Sequence, residues 1–238
     1  MKTSMANFAL CALIAAGTAA SVDKVTLQPF TASYDVVFRG IDAGSTHLEL
    51  KHENGDRYTY TSRSRAHGLF RLFLGNDILQ TSTFSLTDAG VQPLKYRGDD
   101  GSKSVSRDIS YDFDWTLRRV KGVEEQQPVD VALIDGVQDP MSIQIALMHD
   151  LMRGKTPVNY SLVDKKEIKT YDYTNEGAAR IKTVLGELDT VVYVSHRHGS
   201  KRKTRMWCAP SLGFIPVQAE QTRDDKREWL MKMISLKR

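Results

Sequence analysis

An alternation of apolar and polar residues with a period of two runs through most of this chain. It is clearest over 109–117, where every second residue from Ile109 to Leu117 is apolar. Successive side chains of a β-strand point to opposite faces, so such a segment has one apolar face and one wet face. The pattern therefore predicts an antiparallel sheet that buries one face and exposes the other to water.

The same alternation predicts a first strand over 30–38 and a second strand through Leu48 and Leu50, with Gly40 and Gly44 bracketing the turn between them. Clusters of Asn, Asp and Gly separate the later apolar segments, as turns require. Those later segments predict strands at about 57–65, 77–87, 157–164, 167–174, 186–197, 202–208, 213–222 and 227–236.

One segment departs from the strand pattern. Asp139 suits a helix N-cap, and the proline after it suits the first helical position. Met148, Met152 and other apolar residues follow at helical spacing until Gly154, so we expect a helix over about 139–153 with a broad apolar side. The residues before it, 118–138, are expected to form a long connection.

These elements together predict a mainly β fold. We expect a curved antiparallel sheet, or partly open β-barrel, of roughly ten strands, with the helix at 139–153 packed on its concave side. No repeat or low-complexity linker interrupts residues 21–238, which we expect to form a single domain.

Residues 1–20 have the pattern of a secretory signal peptide. Lys2 precedes a short apolar run over 8–16, and the small residues 17–20 follow it. We expect cleavage after Ala19 or Ala20 and a periplasmic mature protein; a buried N-terminal helix is the alternative. No later segment is long and apolar enough to cross a bilayer.

Cysteine usage excludes an intrachain disulfide in that mature protein. Cys11 lies within the predicted signal peptide, so Cys208 is the single cysteine that remains. Its place between Trp207 and Ala209 at a strand end predicts a small buried hydrophobe rather than a catalytic thiol.

Candidate catalytic and metal-binding patterns are incomplete. The glycines of 98–104 lack the spacing of a phosphate loop, and no Gly-x-Ser-x-Gly motif occurs. His47 and His52 fall on opposite faces of a strand, whereas His196 and His198 share a face beside basic residues. A zinc site needs three or four converging ligands. We therefore expect no catalytic residue, metal or cofactor; an enzyme assembled from residues distant in sequence stays a less favoured alternative.

An apolar segment near residue 70 predicts a ligand-binding flap. Leu69, Phe70 and Phe73 crowd into a short helix or loop, which we expect to fold over one end of the sheet. Such a flap covers an apolar cavity or contacts lipid; ordinary core packing is the alternative. With Met148 and Met152, these residues are the predicted lining of a hydrophobic ligand site.

A basic cluster over 196–205 is suited to anionic partners. Lipid headgroups or an acidic envelope protein fit the expected compartment, and a solvated hairpin tip is the alternative. A net charge of +4 does not require nucleic acid, and the cluster lacks the aromatic ladder that stacks bases. We expect no nucleic-acid partner.

An ordered set of short motifs carries a family resemblance. The set resembles the bacterial exported family known as domain of unknown function 3108 (DUF3108), over about residues 28–236. The resemblance implies a periplasmic, mostly antiparallel β protein and no established activity. The motifs are FTASYDV at 30–36, GIDAG at 40–44, DPMS at 139–142, GELDT at 186–190, WCAP at 207–210 and LGFIPV at 212–217.

The last two motifs are also similar to the late strands of periplasmic lipoprotein carriers and receptors, which wrap an open half-barrel around helices and shelter acyl chains. Any function taken from that likeness is an analogy. The favoured hypothesis is a non-enzymatic periplasmic protein that binds a hydrophobic ligand, such as a lipid or acyl chain, or an envelope component. The alternative is an interaction module without a cavity, which docks on an envelope complex through a sheet edge or its basic hairpin.

Overall fold

The fold is described from a computed structural model, which covers residues 25–73, 75–102, 104, 107–164 and 166–238. The predicted signal peptide at 1–20 lies outside these described residues. Helix α1 spans Phe70–Phe73 and helix α2 spans Ser142–Met152. The strands are β1 Phe30–Phe38, β2 Ile41–His52, β3 Arg57–Ala66, β4 Ile78–Thr87, β5 Gly90–Asp99, β6 Ile109–Asp114, β7 Arg119–Glu124, β8 Gln127–Ala132, β9 Asn159–Asp164, β10 Glu167–Thr183, β11 Gly186–Arg197, β12 Arg202–Ala209, β13 Ile215–Arg223 and β14 Lys226–Lys237.

The described strands form one antiparallel sheet of fourteen strands. Their order is β8-β7-β6-β5-β4-β3-β2-β1-β14-β13-β12-β11-β10-β9, so the first and last strands pair at its centre. The predicted antiparallel β class is confirmed, but the expectation of roughly ten strands is wrong. Strands β5, β7 and β8 account for most of the difference.

The predicted long connection over 118–138 is also wrong, because it contains β7 and β8. These strands have six residues each and include Gly122 and Pro128, which are typical of turns. Pairing with neighbouring strands overrides that local preference: Gly122 fits tightly, since a Cβ there would lie 1.8 Å from the carbonyl oxygen of Ser110.

The two edges of the sheet approach each other without closing a barrel. Lys166 Nζ, beside β9, lies 3.5 Å from Gln127 Oε1 at the start of β8. No strand pairing joins β8 to β9 among the described residues. Instead, Gln138 forms a parallel bridge on β9: its N–H donates to the Ser161 carbonyl, and its carbonyl accepts the Val163 N–H. The free edge of β9 is therefore partly covered by the chain that leads into α2.

The predicted helix at 139–153 is present, although it begins at Ser142. Asp139 still acts as a cap, because its carboxylate accepts the N–H groups of Met141 and Ser142, each at 2.8 Å. Gly154, with a φ of +71°, follows the helix end as expected.

Helix α2 is buried on most of its surface. It lies against β4 and β5, on the face of the sheet that also carries Tyr34 and Tyr60; we call this the inner face. Burial on so many sides explains why the helix includes few charged residues. Its buried residues are Ser142, Ile145, Ala146, Leu147, Met148, His149 and Leu151.

Aromatic side chains fill the inner face beside the helix. Buried phenol groups need partners: the Tyr34 hydroxyl donates to the Pro216 carbonyl at 2.8 Å, and the Tyr96 hydroxyl accepts from Gln80 at 3.0 Å. The largest fully buried side chains are Tyr34, Tyr60, Tyr96, Tyr111, Tyr193, Phe84, Leu50, Ile145, Leu147 and Ile215, followed by Val120 and Val137.

The structure also tests the expectations for Cys208 and for the glycines of the first turn. Cys208 is confirmed as a buried residue, and burial raises the pKa of its thiol to about 12, which leaves it unreactive. Gly44 does not bracket the first turn; it lies inside β2 with a φ of +142°, and a Cβ there would lie 2.0 Å from the Arg65 carbonyl oxygen. Arg39 and Gly40, both with positive φ, make the turn.

In the described part of the chain, no helix has the length and apolar character needed to span a membrane.

Candidate functional site

The β10–β11 hairpin extends beyond the rest of the sheet. Strand β11 pairs with β12 only from Val191 to His196, so residues 177–190 form a free two-stranded extension, which we call the arm. A bulge at its base leaves Glu176 unpaired, and Gly177 there has a φ of +98°. Because a bulge bends its strand, it directs the arm away from β12.

The arm encloses a groove of about 440 Å³ with β1, β13 and β14. Strand alternation places Tyr34 and Met233 on the inner face, so their neighbours Asp35 and Lys232 lie on the opposite, outer face. Most sheet residues of the groove belong to this outer face. The apolar lining consists of Val37, Ile181, Val184, Val217, Leu230, Met233 and Ile234, and the polar lining of Asp35, Lys182, Thr183, Gln218 and Lys232.

The rim of this arm groove exposes apolar side chains to water. Val184 at the arm tip is 59% exposed, Leu185 beside it 43%, and Ile234 across the groove 42%. Isolated exposed apolar residues are ordinary, but a cluster beside a groove is typical of a recognition surface. The rim is therefore the best candidate for the entrance of a ligand site.

Two lysines give the groove a positive side. Lys182 on the arm and Lys232 on β14 are both exposed, and neither forms an ion pair with any residue that the structure describes. Asp35 stands opposite Lys232 in the strand register without closing a salt bridge to it. The ammonium groups are therefore free to meet an anionic group at the groove.

The predicted flap residues lie at another place, next to β1 and β3. Leu69 precedes α1 and is 69% exposed. Phe70 packs edge-on against Phe38, with ring centroids 5.9 Å apart. Phe73 lies in α1, and its side chain is outside the described part.

The predicted methionines lie in α2, where Met148 is buried and Met152 is half-buried. Met148 is only 3% exposed and belongs to the buried core, and Met152 packs against that core. Leu69 and Phe70 are not among the core residues. The structure thus places the two halves of the predicted lining in different surroundings, and their role as one ligand site stays a prediction.

Sequence reasoning missed the arm groove. A signal was nevertheless present: Val184 and Leu185 form an apolar pair at a hairpin tip, where turn residues are normally polar. The length by which β10 and β11 extend beyond the rest of the sheet could not be recognised from the sequence, because it depends on the shorter length of β12.

The carboxylate of Asp139 is fully buried, and a buried carboxylate is typical of acid–base groups as well as of structural ones. It accepts the Ser82 hydroxyl at 2.6 Å as well as the two helix N–H groups. Burial raises the pKa of Asp139 to about 6, against the opposing effect of these hydrogen bonds. The residue is fully buried, two of its bonds cap the start of α2 and the third links that start to β4, so its role is structural.

Among the described residues, one acidic cluster has oxygens close enough to share a metal ion, whereas two histidines bond to backbone carbonyls. Nitrogen atoms of His52 and His196 bond to carbonyl oxygens of their own turns, each at 2.8 Å. The oxygens of Asp99, Asp100 and Asp108 lie within 4.8 Å of one another. The first two also accept backbone N–H groups of the same loop, which is the usual work of aspartates in turns.

A family model described as a protein of unknown function, DUF3108, matches residues 33–226. The match covers most of the strands and all of α2. The chain belongs to the DUF3108 family. The resemblance inferred from the ordered motifs is therefore confirmed.

The fold of this DUF3108 chain is similar to that of a solved β-barrel-like protein of domain of unknown function DUF1849 from Brucella abortus. The two share 13% sequence identity with a TM-score of 0.55, over 89% of this chain and 98% of the other. A putative exported protein with a YmcC-like fold from Bacteroides fragilis matches at 9% identity and a TM-score of 0.34, over 88% and 95% of the two chains. No curated protein is significantly similar in sequence to this chain. The first likeness supports a β-barrel-like fold and no activity.

Proposed function

We propose that this DUF3108 protein is exported through a cleavable signal peptide and binds a hydrophobic ligand in the periplasm, without catalysing a reaction. The arm groove carries the proposal. Its volume of about 440 Å³ lies within the range of small-molecule sites, roughly 300–1,000 Å³. Seven of its twelve lining residues are apolar, and the five polar ones can orient a ligand.

The filled inner face directs the proposal to the arm groove rather than to the interior. Helix α2 and the buried tyrosines already occupy the inner face. A ligand in the arm groove needs no displacement of that core, because the exposed rim at Val184 and Ile234 gives direct access. Burial of these rim residues against a ligand contributes about 25 cal/mol for each Å² removed from water.

The chemistry of the lining indicates an amphiphile. An acyl chain would contact Val37, Ile181 and Leu230, while an acidic headgroup would lie near Lys182 or Lys232. Each methylene buried in the groove stabilises the complex by about 0.8 kcal/mol before the cost of association. Ten buried methylenes contribute about 8 kcal/mol, and a cost of association of about 4 kcal/mol leaves a dissociation constant of about 1 mM before the headgroup contributes.

The test is a calorimetric titration of the processed protein with dodecanoate. We expect binding that Leu230→Asp weakens at least about tenfold, which corresponds to about 1.4 kcal/mol. Leu117→Asp is the matched control, since Leu117 is an exposed leucine outside the groove at 65% exposure. Equal loss in both variants, or no binding by the wild type, contradicts the proposal.

Two further measurements complete the test of the proposed function. Leu69→Asp tests the flap predicted from the sequence: a loss of dodecanoate affinity in this variant alone would move the site from the arm to α1. Native mass spectrometry of the protein purified from the periplasm reports both the processed mass and any lipid that co-purifies. An unprocessed chain that stays in the cytoplasm contradicts export.

A further inference from the structure

Three hairpin turns lie side by side at one end of the sheet. They are the β1–β2 turn at 39–40, the β11–β12 turn at 198–201 and the β13–β14 turn at 224–225. The Asp224 N–H donates to the Lys201 carbonyl at 3.1 Å, and the Arg39 N–H donates to the Glu228 carbonyl at 2.8 Å. These bonds hold the turns together, and we call the surface that they form with their flanking residues the basic end.

A nearly buried carboxylate organises three arginines that lie in or directly beside the three turns. Glu228 accepts the Arg202 guanidinium at 2.8 Å, and its carboxylate lies 3.8 Å from Arg39 and 4.0 Å from Arg223. The hydrogen bond from Arg202 and the nearby positive charges lower the pKa of Glu228. One negative charge therefore positions three guanidinium groups and leaves the cluster net positive.

A second carboxylate repeats this arrangement one step further along the sheet. Glu220 is also nearly buried and accepts Arg205 at 3.0 Å and Arg227 at 2.9 Å. Arg205 also donates to Glu176 at 2.8 and 3.1 Å, whereas Arg227 uses one of its five N–H donors on Glu220 and keeps others free. The basic end thus presents oriented donors rather than a loose group of flexible side chains.

The basic end includes an open hollow of about 600 Å³. Arg39, Arg223, Lys226 and Arg227 line it, with Asp224 and Glu228 as its acidic members. Asp224 faces Lys201 at 3.3 Å. Of the carboxylates outside the hollow, Asp42 lies 3.5 Å from His67, Asp225 faces Lys203 at 3.7 Å and Glu176 pairs with Arg205 at 2.8 Å. The basic side chains outnumber these carboxylates.

Exposed apolar side chains stand beside the positive charge. Ile41 at the start of β2 is 56% exposed and Leu69 is 69% exposed. The His67 N–H donates to the Ala43 carbonyl at 3.0 Å, which holds the segment before α1 next to β2. Phe70 joins the two parts through its edge contact with Phe38.

We propose that the basic end docks on the surface of an anionic lipid bilayer. Apolar side chains flanked by lysine and arginine are the arrangement that binds the boundary between headgroups and acyl chains. Phosphate oxygens of the headgroups accept from the oriented guanidinium groups in and around the hollow, and Ile41 and Leu69 enter the boundary layer. The surface shares no residue with the lining of the arm groove, so this proposal stands apart from ligand binding.

The test is co-sedimentation of the processed protein with lipid vesicles. Vesicles of phosphatidylcholine alone are compared with vesicles that contain about three parts of phosphatidylglycerol in ten, at low and at high salt. We expect binding to the anionic vesicles that weakens as salt rises, and little binding to the neutral ones. Equal binding to both kinds of vesicle overturns the proposal. The absence of any vesicle binding also overturns it and leaves an acidic protein as the partner to test.

Substitutions then locate the surface. Each basic side chain near an anionic surface accounts for about a fivefold change in affinity, so the triple variant Arg39→Gln, Arg223→Gln and Lys226→Gln is expected to bind about 100-fold more weakly. Ile41→Ser combined with Leu69→Ser is expected to reduce the binding that remains at high salt.

The control removes the same charge elsewhere. Lys95, Lys121 and Lys237 are exposed lysines outside the basic end, and their triple substitution by glutamine is expected to stay within about threefold of the wild type. Far-ultraviolet circular dichroism confirms that every variant is folded. Vesicle affinity that falls equally in the two triple variants overturns the proposal, because it would report net charge alone.

Discussion

Substitution of Asp139 by asparagine should change how the stability of this protein depends on pH. The carboxyl is fully buried between β4 and the start of α2, where burial raises its pKa from 3.8 to about 6. A raised pKa means that the folded state favours the neutral acid. Stability from this group is therefore greatest below pH 3.8 and falls as the pH rises through 6.

The size of the effect follows from the shift. Each pKa unit corresponds to about 1.4 kcal/mol, so the full change across this range is about 3 kcal/mol. Between pH 7 and pH 5, the wild type gains about 1 kcal/mol from protonation of Asp139. For a chain of this size, that gain raises the melting temperature by roughly 2–4 °C. Asparagine does not titrate and provides no such gain.

The assay is urea unfolding of wild type and Asp139→Asn at several pH values from 7 to 5. The difference between the two proteins is the quantity of interest, since burial lowers the pKa of His149 and acts in the opposite direction over the same range. Ser82→Ala removes a donor to the carboxylate, so it should move the transition to higher pH. A difference that stays flat, or that favours the variant as the pH falls, refutes the reasoning.

Three other substitutions test the packing of the sheet by urea unfolding. Gly44→Ala is expected to lower the free energy of unfolding by about 3 kcal/mol or more, because its Cβ would lie 2.0 Å from the Arg65 carbonyl oxygen. Gly40→Ala, with nothing within 4 Å of its Cβ, is expected to lower it by only about 1 kcal/mol through backbone strain. Equal losses in the two variants contradict this expectation. Ile145→Ala removes a fully buried side chain of α2 and should cost about 2–5 kcal/mol; a cost below about 1 kcal/mol would mean a loosely packed inner face. Tyr34→Phe removes a buried hydrogen bond to a backbone carbonyl and should cost about 1–2 kcal/mol; an unchanged free energy of unfolding would mean that this bond contributes nothing.

The strands that sequence analysis predicted well share one property. Segments such as 186–197 and 202–208 are bounded by glycine or charged turns, and the structure has strands at Gly186–Arg197 and Arg202–Ala209. Strand β5 was missed because Pro93 lies within it, at a bulge opposite β4 where the missing N–H is tolerated. Local pattern alone does not report such tertiary compensation.

The candidate site was harder to predict than the fold. Membership of α2 in the core follows from its apolar residues, but the arm groove depends on how far β10 and β11 extend past β12. That difference in length is a property of three strands together. The basic cluster over 196–205 was visible as charge, whereas its link to Arg39 and Glu228 required the pairing of β1 with β14 at the centre of the sheet.

The site proposed for the ligand can be located directly with a bromine-labelled fatty acid. A crystal structure of the processed protein with bromododecanoate would show the bromine by its anomalous scattering. We expect the bromine in the arm groove, in contact with Ile181 or Leu230, and the carboxylate near Lys182 or Lys232. Bromine between the sheet and α2, beside Met148 or Met152, would contradict the account, as would the absence of any bound fatty acid at saturating concentration.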